Sequence, residues 1–227
     1  MHVLGSSGAR RELMAGNERA KRVVRAIYSG AAERLYEPLV VKGAFRLFGG
    51  RLNELAFEQG RLAAGIAGDR PILDMPVGTA YFTLELARAF DGLVVGADIA
   101  EGMVVSANDA ARSAGLANLA IVQADAHHLP FATGAFGAIM CTNGLQVIPG
   151  LEPALAELTR VLAEDGTLFV SVLTLPAPRL PRSVGRRRNL PTVMLAGDEV
   201  ADALEEVGLR VQSLARERLA TLIEARK

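Results

Sequence analysis

Residues 71–82, Pro-Ile-Leu-Asp-Met-Pro-Val-Gly-Thr-Ala-Tyr-Phe, constrain this chain more than any other stretch. Ile72, Leu73 and Met75 form a short apolar run between Pro71 and Pro76, the pattern of a buried strand. Asp74 sits at the end of that run, and a tight turn around Pro76 and Gly78 follows. Phe82, Leu86, Ala89 and Phe90 then recur at the spacing of a helix face. A strand, a glycine turn and a helix together present backbone N–H groups and a positive helix end to a ligand. In an open α/β sheet, ligands gather at the carboxyl ends of the strands, so function is sought there first.

The pattern repeats downstream. Residues 92–98 predict a second strand, 101–114 a helix, 119–124 a third strand ending at Asp125, and 136–142 a fourth. Leu151, Leu155, Leu158 and Leu162 predict a helix ended at Asp165-Gly166, with a fifth strand over 167–173. Pro176, Pro178 and Pro181 forbid regular structure after it, and Arg186–Arg188 fall in that loop. A last helix from Asp198 to Val207 precedes strands over 209–214 and 219–225, linked by Arg216-Glu217-Arg218 as an antiparallel pair. Upstream, residues 1–16 predict a flexible leader and 17–68 an N-terminal helical cap, with 69–227 as the main domain. The expected fold is α/β: a doubly wound, mostly parallel, seven-stranded Rossmann-like sheet with an antiparallel C-terminal edge.

Composition narrows the function classes. With 25 basic and 25 acidic side chains in 227 residues, the chain has no global electrostatic footprint for nucleic acid. The lone cysteine, Cys141, allows no internal disulfide and reads as buried and inert. One cysteine and the histidines His2, His127 and His128 make no zinc set, so no metal is expected. No signal peptide and no apolar stretch of transmembrane length is seen, which predicts a cytoplasmic setting without integral membrane contact. The apolar residues 41–52 leave peripheral contact open, although a helix packed on the domain body is favoured.

Asp74, Asp98 and Asp125 each end a predicted strand, so their carboxylates should share one rim of the sheet. Asp98 follows Asp74 by 24 positions (98 − 74), close to the roughly 20-residue offset at which an acid meets a ribose hydroxyl. The G-x-G-x-x-G spacing is absent: positions 76, 78 and 81 are Pro, Gly and Tyr, and no phosphate-loop lysine follows. A phosphate-free nucleoside suits this site better than a pyrophosphate.

With these pieces in place, the chain resembles class I S-adenosylmethionine-dependent methyltransferases. The resemblance rests on Leu73–Ala80, Gly96–Met103, Ala124–Phe131 and Leu158–Leu168, in order and spacing. It implies S-adenosyl-L-methionine as cofactor and a small, apolar methyl acceptor, on oxygen, carbon or nitrogen. It also implies a cofactor site built from Asp74, Met75, Pro76, Gly78, Thr79, Asp98, Ile99, Met103, Asp125, Ala126, Thr142 and Asn143. Within that set, Asp98 would hold the ribose, Ile99 would lie on the adenine and Asp125 would meet its amino group. Thr142 and Asn143 would face the methionine portion and the acceptor. Tyr28, Tyr36 and Gln146 are candidate acceptor contacts, and no catalytic base is assigned. His127 and His128 fall near the adenine end, away from the methyl. Pro76 and Ala80 stand where the family has glycine, and Gly137 where it often has an acid. The alternatives are a lyase or cyclase that uses the same cofactor, and a binding module without catalysis.

Overall fold

The computed structural model describes residue 18 and residues 21–22, 51–173, 197–217 and 220–227. The expected leader, Tyr28, Tyr36, the apolar run over 41–50, the proline-rich loop and Arg186–Arg188 lie outside the described residues. Helix α1 (Leu52–Ile66) leads into β1 (Ile72–Asp74), α2 (Tyr81–Ala89), β2 (Val94–Asp98), α3 (Glu101–Ser113) and β3 (Leu119–Gln123). Then come β4 (Phe136–Thr142), α4 (Leu151–Val161), β5 (Leu162–Leu173), α5 (Gly197–Glu206), β6 (Arg210–Glu217) and β7 (Ala220–Arg226).

One seven-stranded sheet has the order β3-β2-β1-β4-β5-β7-β6. Strands β1 to β5 pair in parallel, and β7 runs antiparallel to both β5 and β6. The expected doubly wound sheet with its antiparallel edge is therefore the architecture found. Some boundaries differ. Leu162 is the first residue of β5, paired with Phe136, because the helix face ends at Val161. Strand β3 stops at Gln123, so Asp125 stands two residues beyond it, in an isolated bridge with His128. Strand β6 runs on to Glu217, taking in two of the three residues expected to link the pair, and Arg218 lies outside the described residues.

Side-chain alternation along the strands sorts the core into two layers. Ile72, Val94, Ala138 and Met140 pack with Ala63, Leu86 and Phe90. Their neighbours Leu73, Val95, Ile139 and Cys141 pack on the opposite face with Leu155, Leu158, Val200 and Leu204. Helices α1 and α2 thus cover one face, and α4 and α5 the other. Both faces being covered explains why β1 and β2 read as unbroken apolar runs rather than alternating ones.

Candidate functional site

The strand order reverses between β1 and β4, where β2 and β5 lie on opposite sides. A crevice opens there beyond the carboxyl ends of the strands. It is lined by Asp74, Met75, Pro76, Gly78, Thr79, Asp98, Ile99, Met103, Asp125, Ala126, Thr142 and Asn143. These are the twelve positions carried over from the family resemblance. Gln146 is half-buried and not among the lining residues.

Asp98 is the best-anchored carboxylate. Its Oδ2 accepts from the Gly78 N–H at 3.0 Å and its Oδ1 from the Ala100 N–H at 2.9 Å. The first bond ties the glycine turn to the end of β2, and Gly78 reaches it at φ +54°, a region glycine enters without steric cost. Burial pushes the Asp98 carboxyl up, and the N–H groups of Ala100, Gly78 and Ile99 oppose that. Each oxygen keeps a second lone pair, so the carboxylate can still receive a diol.

Asp74 is fully enclosed. Thr83, in the first turn of α2, donates its hydroxyl to Asp74 Oδ2 at 2.5 Å, while Oδ1 has no partner among the described residues. Asn143, at φ +53°, is buried with neither amide atom partnered among the described residues, and it faces the same crevice. Buried polar atoms without partners are uncommon, and here they point to a ligand that satisfies them.

Asp125 closes the far end. Its Oδ2 takes Lys21 Nζ at 2.7 Å, and its Oδ1 accepts the His127 N–H at 3.0 Å. Burial alone would raise its pKa, but His127 and Lys21 together hold the carboxyl well below the usual range. Lys21 is itself buried and also meets Glu18 at 3.1 Å. The His127 ring lies against Asp125 and places Nε2 3.0 Å from the Gly150 carbonyl. The free volume is about 90 Å3, below the roughly 300 Å3 of typical small-molecule sites. The polar groups fit a nucleoside and an amino acid, and Lys21 already occupies one oxygen of Asp125.

Residues 72–166 match the family described as "Methyltransferase domain". Over these residues the chain is similar to methyltransferases. The chain is 42% identical over 108 residues to the demethylmenaquinone methyltransferase of Thermus thermophilus, a span of 47% of this chain and 48% of that protein. It is 28% identical over 202 residues to the ubiquinone/menaquinone biosynthesis C-methyltransferase UbiE of Azotobacter vinelandii, covering 87% of this chain and 77% of that one. The chain spans about half the length of several curated relatives that it matches. Among solved structures, the [4+2]-cyclase SpnF shares the fold at a TM-score of 0.67 and 19% identity, over 75% of this chain and 80% of that one.

Two departures from the family's glycine turn now have a structural setting. Pro76 abuts Gly144: a Cβ on Gly144 would come within 2.1 Å of Pro76 Cδ. Ala80 sits at φ +63° in the left-handed region, fully buried just before α2. That backbone costs an alanine about 1–2 kcal/mol where a glycine would be unstrained.

Cys141 is a buried neutral thiol, pushed up to about 12 by burial and the nearby Asp74. His128 has its side chain largely exposed. Among the described residues no group of three His, Cys, Asp or Glu is placed to hold a metal. His127, placed near the adenine end from the sequence, also lines the crevice, as do Lys21, Tyr81, Phe82 and Val147–Pro149, which the sequence did not assign to it. Only Tyr81 and Phe82 carried a signal, as aromatic residues directly after the glycine turn.

Burial pushes Asp74 up to about 7 from an ordinary value near 3.8, with Asp98 adding to the rise and Thr83 opposing it. Between these values the folded state keeps a proton that the unfolded chain has released, so this group's contribution to stability falls as pH rises from about 4 to 7. Asp74→Asn removes that titration. Urea midpoints measured from pH 4 to 8 are expected to show the Asn variant gaining on the wild type as pH rises. A constant difference across that range would mean that Asp74 ionises normally.

Proposed function

We propose that this chain transfers a methyl group from S-adenosylmethionine to the ring of a small, apolar quinol. The cofactor part is carried by one observation: a buried carboxylate at the strand-order reversal, Asp98, tied to the glycine turn inside the family-matched span. The acceptor part draws support from relatives named for demethylmenaquinone and for ubiquinone/menaquinone biosynthesis.

The bound cofactor supplies a methyl group made electrophilic by its sulfonium. The chain's own residues bind and orient. Asp98 would accept the ribose hydroxyls, Asp125 would receive the adenine amino group, and Asn143 would offer one donor and one acceptor to the amino-acid end. Tyr81 and Phe82 wall the crevice and exclude water, so that placement carries most of the rate. No side chain is assigned as general base. No described helix is long and apolar enough to cross a membrane. A cytoplasmic enzyme meeting its acceptor at a membrane surface fits this reading.

The test is an anaerobic incubation of the full chain with methyl-labelled S-adenosylmethionine and demethylmenaquinol carrying a short tail. The expected result is S-adenosylhomocysteine and methylated quinol in equal amounts. Tight cofactor binding without S-adenosylhomocysteine, across a panel of quinols and phenols, would remove the methyl-transfer reading. The cyclase alternative would gain from that result, since the fold is shared with a [4+2]-cyclase.

A further inference from the structure

We propose that the acceptor's ring binds in a second cavity, between α1 and α2, and that this cavity selects a planar aromatic molecule without negative charge. The inference rests on the methyl-transfer reading above. The cavity encloses about 820 Å3, within the range of small-molecule sites.

Strand alternation puts Asp74, Met140 and Thr142 on the sheet face covered by α1 and α2, and all three line this cavity. Phe57 from α1 meets Tyr81 and Phe82 from α2, with ring centroids 5.7 and 5.2 Å apart, and Tyr81 and Phe82 lie edge to face at 5.0 Å. The three rings make a wall of alternating faces and edges, a surface on which another flat ring packs well. Asp74, Tyr81, Phe82 and Thr142 line both this cavity and the cofactor crevice. A ring held against the aromatic wall therefore borders the crevice at the ends of β1 and β4.

Charge at the rim argues against an anionic occupant. The cavity borders on Glu54, Glu58 and Glu85 against Arg61 and Arg88. Arg88 is already paired with Glu85 at 2.5 Å, and Glu54 with Arg51 at 2.8 Å. No cluster of free cations faces the cavity among the described residues, as a phosphate or carboxylate ligand would need.

The test uses the full chain with 2-azido-1,4-naphthoquinone as photoprobe, with and without saturating S-adenosylhomocysteine, and maps the label by mass spectrometry. Label within residues 54–61 and 81–88 is the expected result. Label confined to residues 147–149, or no specific label, overturns the proposal. In parallel, equilibrium dialysis of menadione is expected to show Phe57→Ala weakened about tenfold, the loss of one aromatic contact and its buried area. S-adenosylhomocysteine affinity should not change, because Phe57 does not line the cofactor crevice. Equal menadione affinity in the folded variant counts against the proposal. Failure of S-adenosylhomocysteine to bind the wild type would instead strike the methyl-transfer reading itself.

Discussion

Asp98→Ala is expected to weaken S-adenosylmethionine binding by about 1.5–3 kcal/mol, the worth of a charged hydrogen-bond acceptor, or roughly ten- to a hundredfold in Kd. The structure adds a second cost. The carboxylate also accepts from Gly78 and Ala100, so its removal strands two N–H groups next to a buried position. Each is worth about 1–3 kcal/mol if left without a partner. The variant should lose stability as well as affinity, and isothermal titration must be run well below its melting temperature. Asp98→Asn separates the effects: its carbonyl oxygen still accepts one of the two N–H groups, while the diol loses its anionic partner. Affinity unchanged in both folded variants would remove Asp98 from the ribose site, and with it the strongest support for the cofactor assignment.

Gly137→Ala should unfold more readily than the unsubstituted chain. A Cβ at this position would lie 2.3 Å from the Ala67 carbonyl oxygen and 3.0 Å from the Ala67 carbonyl carbon and Cα. These are backbone atoms at the end of α1, so no rotamer change relieves the clash. Gly137 also donates its N–H to the Pro71 carbonyl at 3.0 Å, which holds β4 in place. Overpacking of this severity costs about 3 kcal/mol or more. In a domain of this size that is a fall of roughly 6–12 °C in melting temperature. Differential scanning calorimetry reads it directly, and a shift below a few degrees would mean that α1 yields easily. An acidic side chain, common in the family at this position, has no room here and would face a carbonyl oxygen.

The strand and helix succession was legible because β1, β2 and β4 are short apolar runs closed by proline, glycine or aspartate. The helices also show one apolar face each. The convergence of Asp74, Asp98 and Asp125 was legible for the same reason: parallel strands bring equivalent ends to one rim. The contacts that cross between elements were not. Nothing in the order of residues announces that Gly78 donates to Asp98, that Thr83 holds Asp74, or that Lys21 reaches Asp125 over 104 positions. Leu162 was misplaced because leucine continues a helix period and begins a buried strand equally well, and only pairing with Phe136 decides between them. Gly137 stands out in the sequence as a departure from the family's acid, but the Ala67 carbonyl that leaves it no room for a side chain is another contact the order of residues does not announce.

The abutment of Pro76 on Gly144 makes two distant loops answerable to each other. A chain with glycine at the first position loses the 2.1 Å clash and leaves a Cβ at the second 3.1 Å from Cys141 Sγ, whereas one with proline keeps the clash. Among descendants of this sequence, position 144 is therefore locked for as long as proline persists at 76. Drift away from glycine there must follow, and cannot precede, a change on the β1 side.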